Sequence, residues 1–150
     1  MLVKTPSGYK EIVKVFGDCK DPKFEAKYIK LFPLPYPLFY DGNEIRRARC
    51  HHLLIDNFTA VFLEIAGLGL QSFVQNYAGI YNNRPVRGGR KPSTHSWGIA
   101  IDLEPSKYPL GSANRFPKQI VDVFIKYGFF YGGYFSGRKD PMHFQFCKGY

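Results

Sequence analysis

Residues Ser93–Glu104 read "STHSWGIAIDLE", and residues Asp140–Phe146, close to the end of the chain, read "DPMHFQF". In the run WGIAIDL, strand alternation sets Gly98, Ala100 and Asp102 on one face and Ile99, Ile101 and Leu103 on the other. The branched face anchors a strand in a core, and the small face leaves room for a ligand beside a carboxylate. In the second stretch His143 and Gln145 share a face, Phe144 and Phe146 anchor the other, and Asp140-Pro141 make the turn that enters the strand. His95 stands just before the first strand, where a loop or kink turns its imidazole toward Asp102. Two neutral imidazoles and a carboxylate form a three-ligand set suited to Zn2+, with a fourth position for water or substrate. Hydrolysis there also needs a base that is not a ligand, and Asp140 is the best placed by sequence. The plainer alternative is that Asp140 only caps the turn and that both histidines are hydrogen-bonded polar residues.

The fold follows from the segments around these stretches. Apolar positions Cys50, Leu53, Leu54, Phe58, Val61, Phe62 and Ile65 recur every three or four residues and predict an amphipathic helix over 50–65. His51 and His52, adjacent on that helix, point about 100° apart and cannot easily share one ion; they are expected at the surface or the helix start. A second helix is predicted from Pro117, with Ile120, Val121, Phe124 and Tyr127 on one face and Gly128 as its stop. Strands are expected over 75–81, 98–103, 131–135 and 143–146. Residues 1–30 are mixed, and "LFPLPYPLFYDGN" alternates Pro33, Pro35 and Pro37 with apolar residues, which forbids a helix and favours an extended path wrapping the core. The order implies an α+β fold: helices packed on one face of a small, largely antiparallel sheet.

At 150 residues the chain is expected to form a single domain, 1–150, with one active surface. Its 21 Lys and Arg against 12 Asp and Glu give +9, a surface drawn to polyanions. Cys19, Cys50 and Cys147 lack a C-x-x-C pairing and suit free thiols in a reducing cytoplasm. The opening "MLVKTPSGYKEIVKVFGD" carries no apolar h-region of a secretory signal, and no run reaches the ~18 apolar residues of a membrane span. The basic "RPVRGGRK", with Arg84, Arg87, Arg90 and Lys91, has neither a Walker pattern nor an RNA-binding motif, so a substrate-facing loop is preferred to a nucleic-acid patch. Trp97 and Tyr134 are candidates for a peptide groove, and Ser93 for the support of a metal ligand.

"STHSWGIAIDLEP" with "DPMHFQF" resembles the S-x-H-x-x-G-x-A-x-D plus D/E-x-x-H signature of the zinc D-alanyl-D-alanine carboxypeptidase family, which includes VanY-type enzymes and the L-alanyl-D-glutamate endopeptidases of bacteriophage endolysins. The flanks "YKEIVKVFGD", "LPYP", "CHHLLIDNF", "YAGIYNNRPVRGG" and "GFFYGGYFSGRKDPMHF" resemble the endopeptidase branch in their order. The resemblance implies a Hedgehog/D,D-peptidase-like zinc peptidase fold, zinc held by His95, Asp102 and His143, Asp140 as the base, and Arg84 steadying the oxyanion. Two features depart from the pattern: Asp140 stands where many members carry Glu, and Gln145 where an acid is frequent.

The function expected on these grounds is a zinc-dependent, endolysin-like hydrolase of the peptidoglycan stem peptide, acting at the L-alanyl-D-glutamate bond. The alternatives are a D,D-carboxypeptidase or a non-catalytic wall-binding or virion module. Such a protein is expected to be a monomer made in the host cytoplasm without a signal peptide, to act on the wall after release, to be held on anionic wall polymers by its charge, and to bind no nucleic acid.

Overall fold

The computed structural model describes residues 3–150; Met1 and Leu2, at the head of the stretch read as lacking a secretory signal, lie outside them. The chain forms helices α1 (Gly8–Phe16) and α2 (Phe24–Tyr28), strands β1 (Ile29–Tyr40) and β2 (Asn43–His51), helix α3 (Ile55–Gly67), strands β3 (Tyr77–Gly79) and β4 (Ala100–Leu103), helix α4 (Lys118–Lys126), and strands β5 (Phe130–Tyr131) and β6 (His143–Gln145). No helix is long and apolar enough among the described residues to cross a membrane.

The segment of alternating prolines is extended, as expected, but it is a paired strand. Phe32, Leu34, Tyr36 and Leu38 face the core, and Pro33, Pro35 and Pro37 take the other side. Pairing with β2 is antiparallel from Ile29↔His51 to Pro33↔Arg47, then shifts and resumes at Leu38↔Ile45. Pro35 and Pro37 fall inside that shift, where a residue without an N–H costs no ladder hydrogen bond. Asp41 and Gly42 close the hairpin with φ of 49° and 80°, the left-handed pair that a two-residue turn of this kind requires.

Cys50 belongs to β2, opposite Lys30, and not to the helix predicted over 50–65. The chain passes through a short 3-10 turn, His52–Leu54, and α3 starts at Ile55 with Phe58, Val61, Phe62 and Ile65 buried. The apolar spacing held across a strand end because Cys50, Leu54 and Phe58 all enter the same core. The second helix lies where Pro117 and Gly128 bracket it. Of the strand predicted over 131–135 only Tyr131 is in β5; Gly132–Tyr134 turns away as a 3-10 turn.

Strands β3-β4-β6-β5 form an antiparallel sheet in that order. Helices cover its aromatic face: Phe124 of α4 stacks on Phe144 at 3.8 Å, while Phe129 meets Phe58 at 4.9 Å and Phe146 at 5.3 Å. The three cysteines are free and buried; burial pushes Cys19 up to about 11 and Cys147 up to about 12, and raises Cys50 as well.

His51 stands at a turn start as expected, but its side chain is fully buried and not at the surface. Its Nε2–H donates to the Phe16 carbonyl at 2.9 Å, and its Nδ1 accepts from the Leu53 N–H at 3.2 Å. Both nitrogens are therefore committed to the neutral ring, and a second proton would face a donor. Burial, with His52 adding and the Phe16 carbonyl opposing, pushes its pKa down to about 4. The folded protein thus holds this proton more weakly than the unfolded chain, so the contribution is complete above about pH 6.5 and is lost as pH falls toward 4. Urea titrations at pH 7.5 and 4.5 should give a loss of about 2–3 kcal/mol from this group, and His51→Gln should remove that part of the pH dependence.

Candidate metal centre

Three elements bring the site together. Asp102 of β4 and His143 of β6 are directly opposed partners in the antiparallel ladder, with Ala100↔Gln145 on the same face and Ile101↔Phe144 between them. His95 lies in the 3-10 turn Thr94–Trp97 that leads into β4. Ser93 starts that turn, its Oγ accepting from the His95 N–H at 3.3 Å, and Gly98 ends it at φ 70°. A Cβ on Gly98 would lie 2.8 Å from the His51 backbone nitrogen, so only glycine lets β2 pass this close. The turn is also tied to α1, because the Trp97 indole N–H donates to the Gly17 carbonyl at 2.9 Å.

The ligand atoms of His95, Asp102 and His143 all lie within 4.8 Å of one another. His95 Nε2 is 3.1 Å from Asp102 Oδ2, and His143 Nδ1 is 3.0 Å from Asp102 Oδ1. Donors about 2.0–2.1 Å from a tetrahedral zinc sit roughly 3.3 Å apart, so these separations suit that ion. The hydrogen bonds around the set point the same way. His95 Nδ1–H donates to the Ile80 carbonyl at 2.7 Å, which leaves Nε2 as a buried lone pair without a hydrogen-bond partner. His143 Nε2–H donates to Gln145 Oε1 at 2.9 Å, and Thr94 Oγ1 donates to the same oxygen at 3.3 Å. His143 Nδ1 is then also a lone pair. Two lone pairs aimed at one carboxylate repel unless a cation lies between them or a ring takes up a proton.

The electrostatics agree. Burial alone would raise the Asp102 carboxyl, but the imidazoles of His95 and His143 outweigh it and hold the group well below the usual carboxylate range. Burial alone would lower His143, but Asp102, with Asp140 and Gln145, raises it above an ordinary histidine.

Asp140 lies beside the set, its Oδ2 3.9 Å from His143 Nδ1. Burial raises its carboxyl, the charge of Asp102 adds to this, and His143, His95 and Arg87 oppose it. Its backbone N–H donates to the Gly132 carbonyl at 3.0 Å, and a Cβ on Gly132 would come within 2.3 Å of the Asp140 carbonyl oxygen, so Gly132 sets where this turn lies.

Arg84 lines the same cavity, of about 240 Å³, as His95, Asp140 and His143. Its backbone is fixed by Ser96, whose Oγ accepts from the Arg84 N–H at 3.1 Å and donates to the Arg84 carbonyl at 2.8 Å. Arg87 and Lys91 also line the cavity, together with Arg138, which no sequence motif singles out although it stands two residues before Asp140. Trp97 is fully buried and lines no groove; Tyr134 is exposed and borders a separate depression. Strand alternation set Gln145 on the face of His143, whereas the parts played by Thr94 and Ser96 are invisible in sequence, since only three-dimensional contacts reveal their partners.

Residues 87–146 match the model of the D-alanyl-D-alanine carboxypeptidase family. The carboxypeptidase-like segment contains His95, Asp102, Asp140 and His143 and stops short of Arg84. No curated protein and no solved structure gives a significant match to the chain.

A ligand histidine held by a hydrogen bond loses about 10–100-fold in metal affinity when that partner is removed. Competition with a chromogenic chelator should show a drop of that size in zinc affinity for Gln145→Leu, with an unchanged circular dichroism spectrum. Gln145→Glu, which keeps an acceptor, should recover most of it. Because His143 must shed its proton to bind and its neighbours hold that proton more tightly than in an ordinary histidine, the apparent affinity of the unmutated protein should fall as pH drops.

Proposed function

We propose that this protein is a zinc-dependent peptidoglycan peptidase that hydrolyses the stem peptide at the L-alanyl-D-glutamate bond, as a phage endolysin does. The observation that carries the reading is the set His95–Asp102–His143, its histidine tautomers fixed so that both free nitrogens converge on one carboxylate, with Asp140 at its edge. These three side chains would hold Zn2+, whose chemistry there is Lewis acidity: it acidifies water toward neutral pH and polarises a carbonyl.

The other parts are the chain's own. Asp140 is close enough to take a proton from the attacking water and pass it to the leaving amine as the C–N bond breaks, and its raised carboxyl makes it a stronger base than an exposed aspartate. Arg84, anchored through Ser96, offers a guanidinium where negative charge develops on the carbonyl oxygen. The net charge of +9 would keep the protein on an anionic wall. The wall is reached after release from the cytoplasm in which the chain is made. The description of the matching family favours a second reading, trimming of a terminal D-alanine by the same machinery.

Mass spectrometry of fragments released from purified sacculi by the zinc-loaded protein, beside a chelated sample, separates the two. Metal-dependent stems beginning at D-glutamate support the endopeptidase; loss of a terminal D-alanine alone moves the protein to the carboxypeptidases. Asp140→Asn should lower kcat by about 10²–10⁴-fold while zinc remains bound. An unchanged rate would remove Asp140 from the mechanism.

A further inference from the structure

Four cations surround the cavity that holds the metal set: Arg84, Arg87 and Lys91 from the loop before His95, and Arg138 from the loop before Asp140. Among the described residues lining it, Asp140 is the only acidic side chain outside the metal set. None of the four cations has a carboxylate within 4.0 Å among the described residues; every such ion pair lies elsewhere or within the metal set. Arg84 Nη1 donates to the Pro85 carbonyl at 3.2 Å, and Lys91 Nζ rests 4.2 Å from the centre of the Tyr150 ring. The loop that carries three of them is closed at its base, with the Val86 N–H donating to the Lys91 carbonyl at 2.8 Å and Pro85 bridged to Pro92. Three of the four charges are thus presented on a tied loop, and among the described residues none of the four is closed off in an ion pair.

That excess decides the kind of peptide that fits. In a peptide cut before a terminal D-alanine, the leaving residue carries a single carboxylate, which would leave most of the ring unneutralised. In a stem peptide cut before D-glutamate, the free α-carboxylate of that residue sits on the carbon bearing the scissile nitrogen, and a diamino-diacid at the third position adds another. We infer that the cavity selects stem peptides carrying at least two free carboxylates on the leaving side of the scissile bond, and discriminates against walls in which these groups are amidated. This rests on the peptidase reading above and names its substrate class. Arg87, Lys91 and Arg138 are the specificity residues; all three are exposed, so their replacement leaves the core intact.

The test uses four synthetic stem peptides, each with its C-terminus capped as an amide so that only the two inner carboxylates vary: the free diacid, the D-glutamate α-amide, the amide at the third residue, and the double amide. Each is given to the zinc-loaded protein at low and high salt. A charge-assisted hydrogen bond is worth enough for each amidation to lower kcat/KM by roughly tenfold, chiefly through KM, and added salt should shrink the ratio. Arg87→Gln, Lys91→Gln and Arg138→Gln should each narrow the ratio between free acid and amide. Equal kcat/KM on free and amidated peptides, or a loss in the variants that is the same for all four, overturns the inference. Equilibrium binding of the same peptides to the zinc-loaded protein is measured in parallel. If no peptide is cut, the peptidase reading fails, and the binding ratio still decides the selectivity: about tenfold per carboxylate supports it, and no preference ends it.

Discussion

The candidate centre depends on one register, the antiparallel pairing of β4 with β6 that sets Asp102 opposite His143. Side chains alternate along a strand, so a slip of a single residue would oppose His143 to a core-facing isoleucine and send the carboxylate to another partner. What holds the register is on the opposite face. Ile101 faces Phe144, and Phe144 is stacked between Phe124 and Tyr131, at 3.8 Å and 4.7 Å. The aromatic core therefore does more than supply stability, since it fixes the spacing of two polar groups on the opposite face of the sheet.

The third member reaches the centre by a different route. His95 is not on a strand, and its place follows from a 3-10 turn that ends at a left-handed glycine and is held to β2 and α1. A turn can aim an imidazole across a sheet face where the next strand residue could not, and the Ile80 carbonyl then selects which nitrogen is free. Both histidines and the neighbouring Asp140 are positioned by groups outside the ligand set. Ile80 orients His95, Gln145 and Thr94 orient His143, and Gly132 holds the turn of Asp140.

What could be read from the sequence was whatever is periodic or local. The alternation in "WGIAIDL" and "HFQF", the brackets at Pro117 and Gly128 and the acid three residues before His143 all carry their meaning in their spacing. The β1–β2 hairpin was obscured because alternating prolines argue against a ladder, and the local sign in its favour is a single turn, Asp41-Gly42. The predicted helix over 50–65 ran too far toward the N-terminus because a strand end and a helix start share one apolar core, and periodicity cannot tell them apart. Thr94 and Ser96 were opaque for another reason. Their partners Gln145 and Arg84 lie 51 and 12 residues away, and no short window of sequence shows that either pair meets.

The end of α1 has a consequence of its own. A helix leaves its last carbonyls without partners in the helix, and here two of them, Phe16 and Gly17, accept from the side chains of His51 and Trp97. One donor ends β2 and the other belongs to the turn that carries His95. Fraying of the first helix therefore cannot proceed without freeing the turn, so the two segments should open and close as one cooperative unit. The N-terminal helix, remote from the metal set in sequence, is a strut for it, and the lifetime of the ligand geometry is set partly by how often that strut lets go.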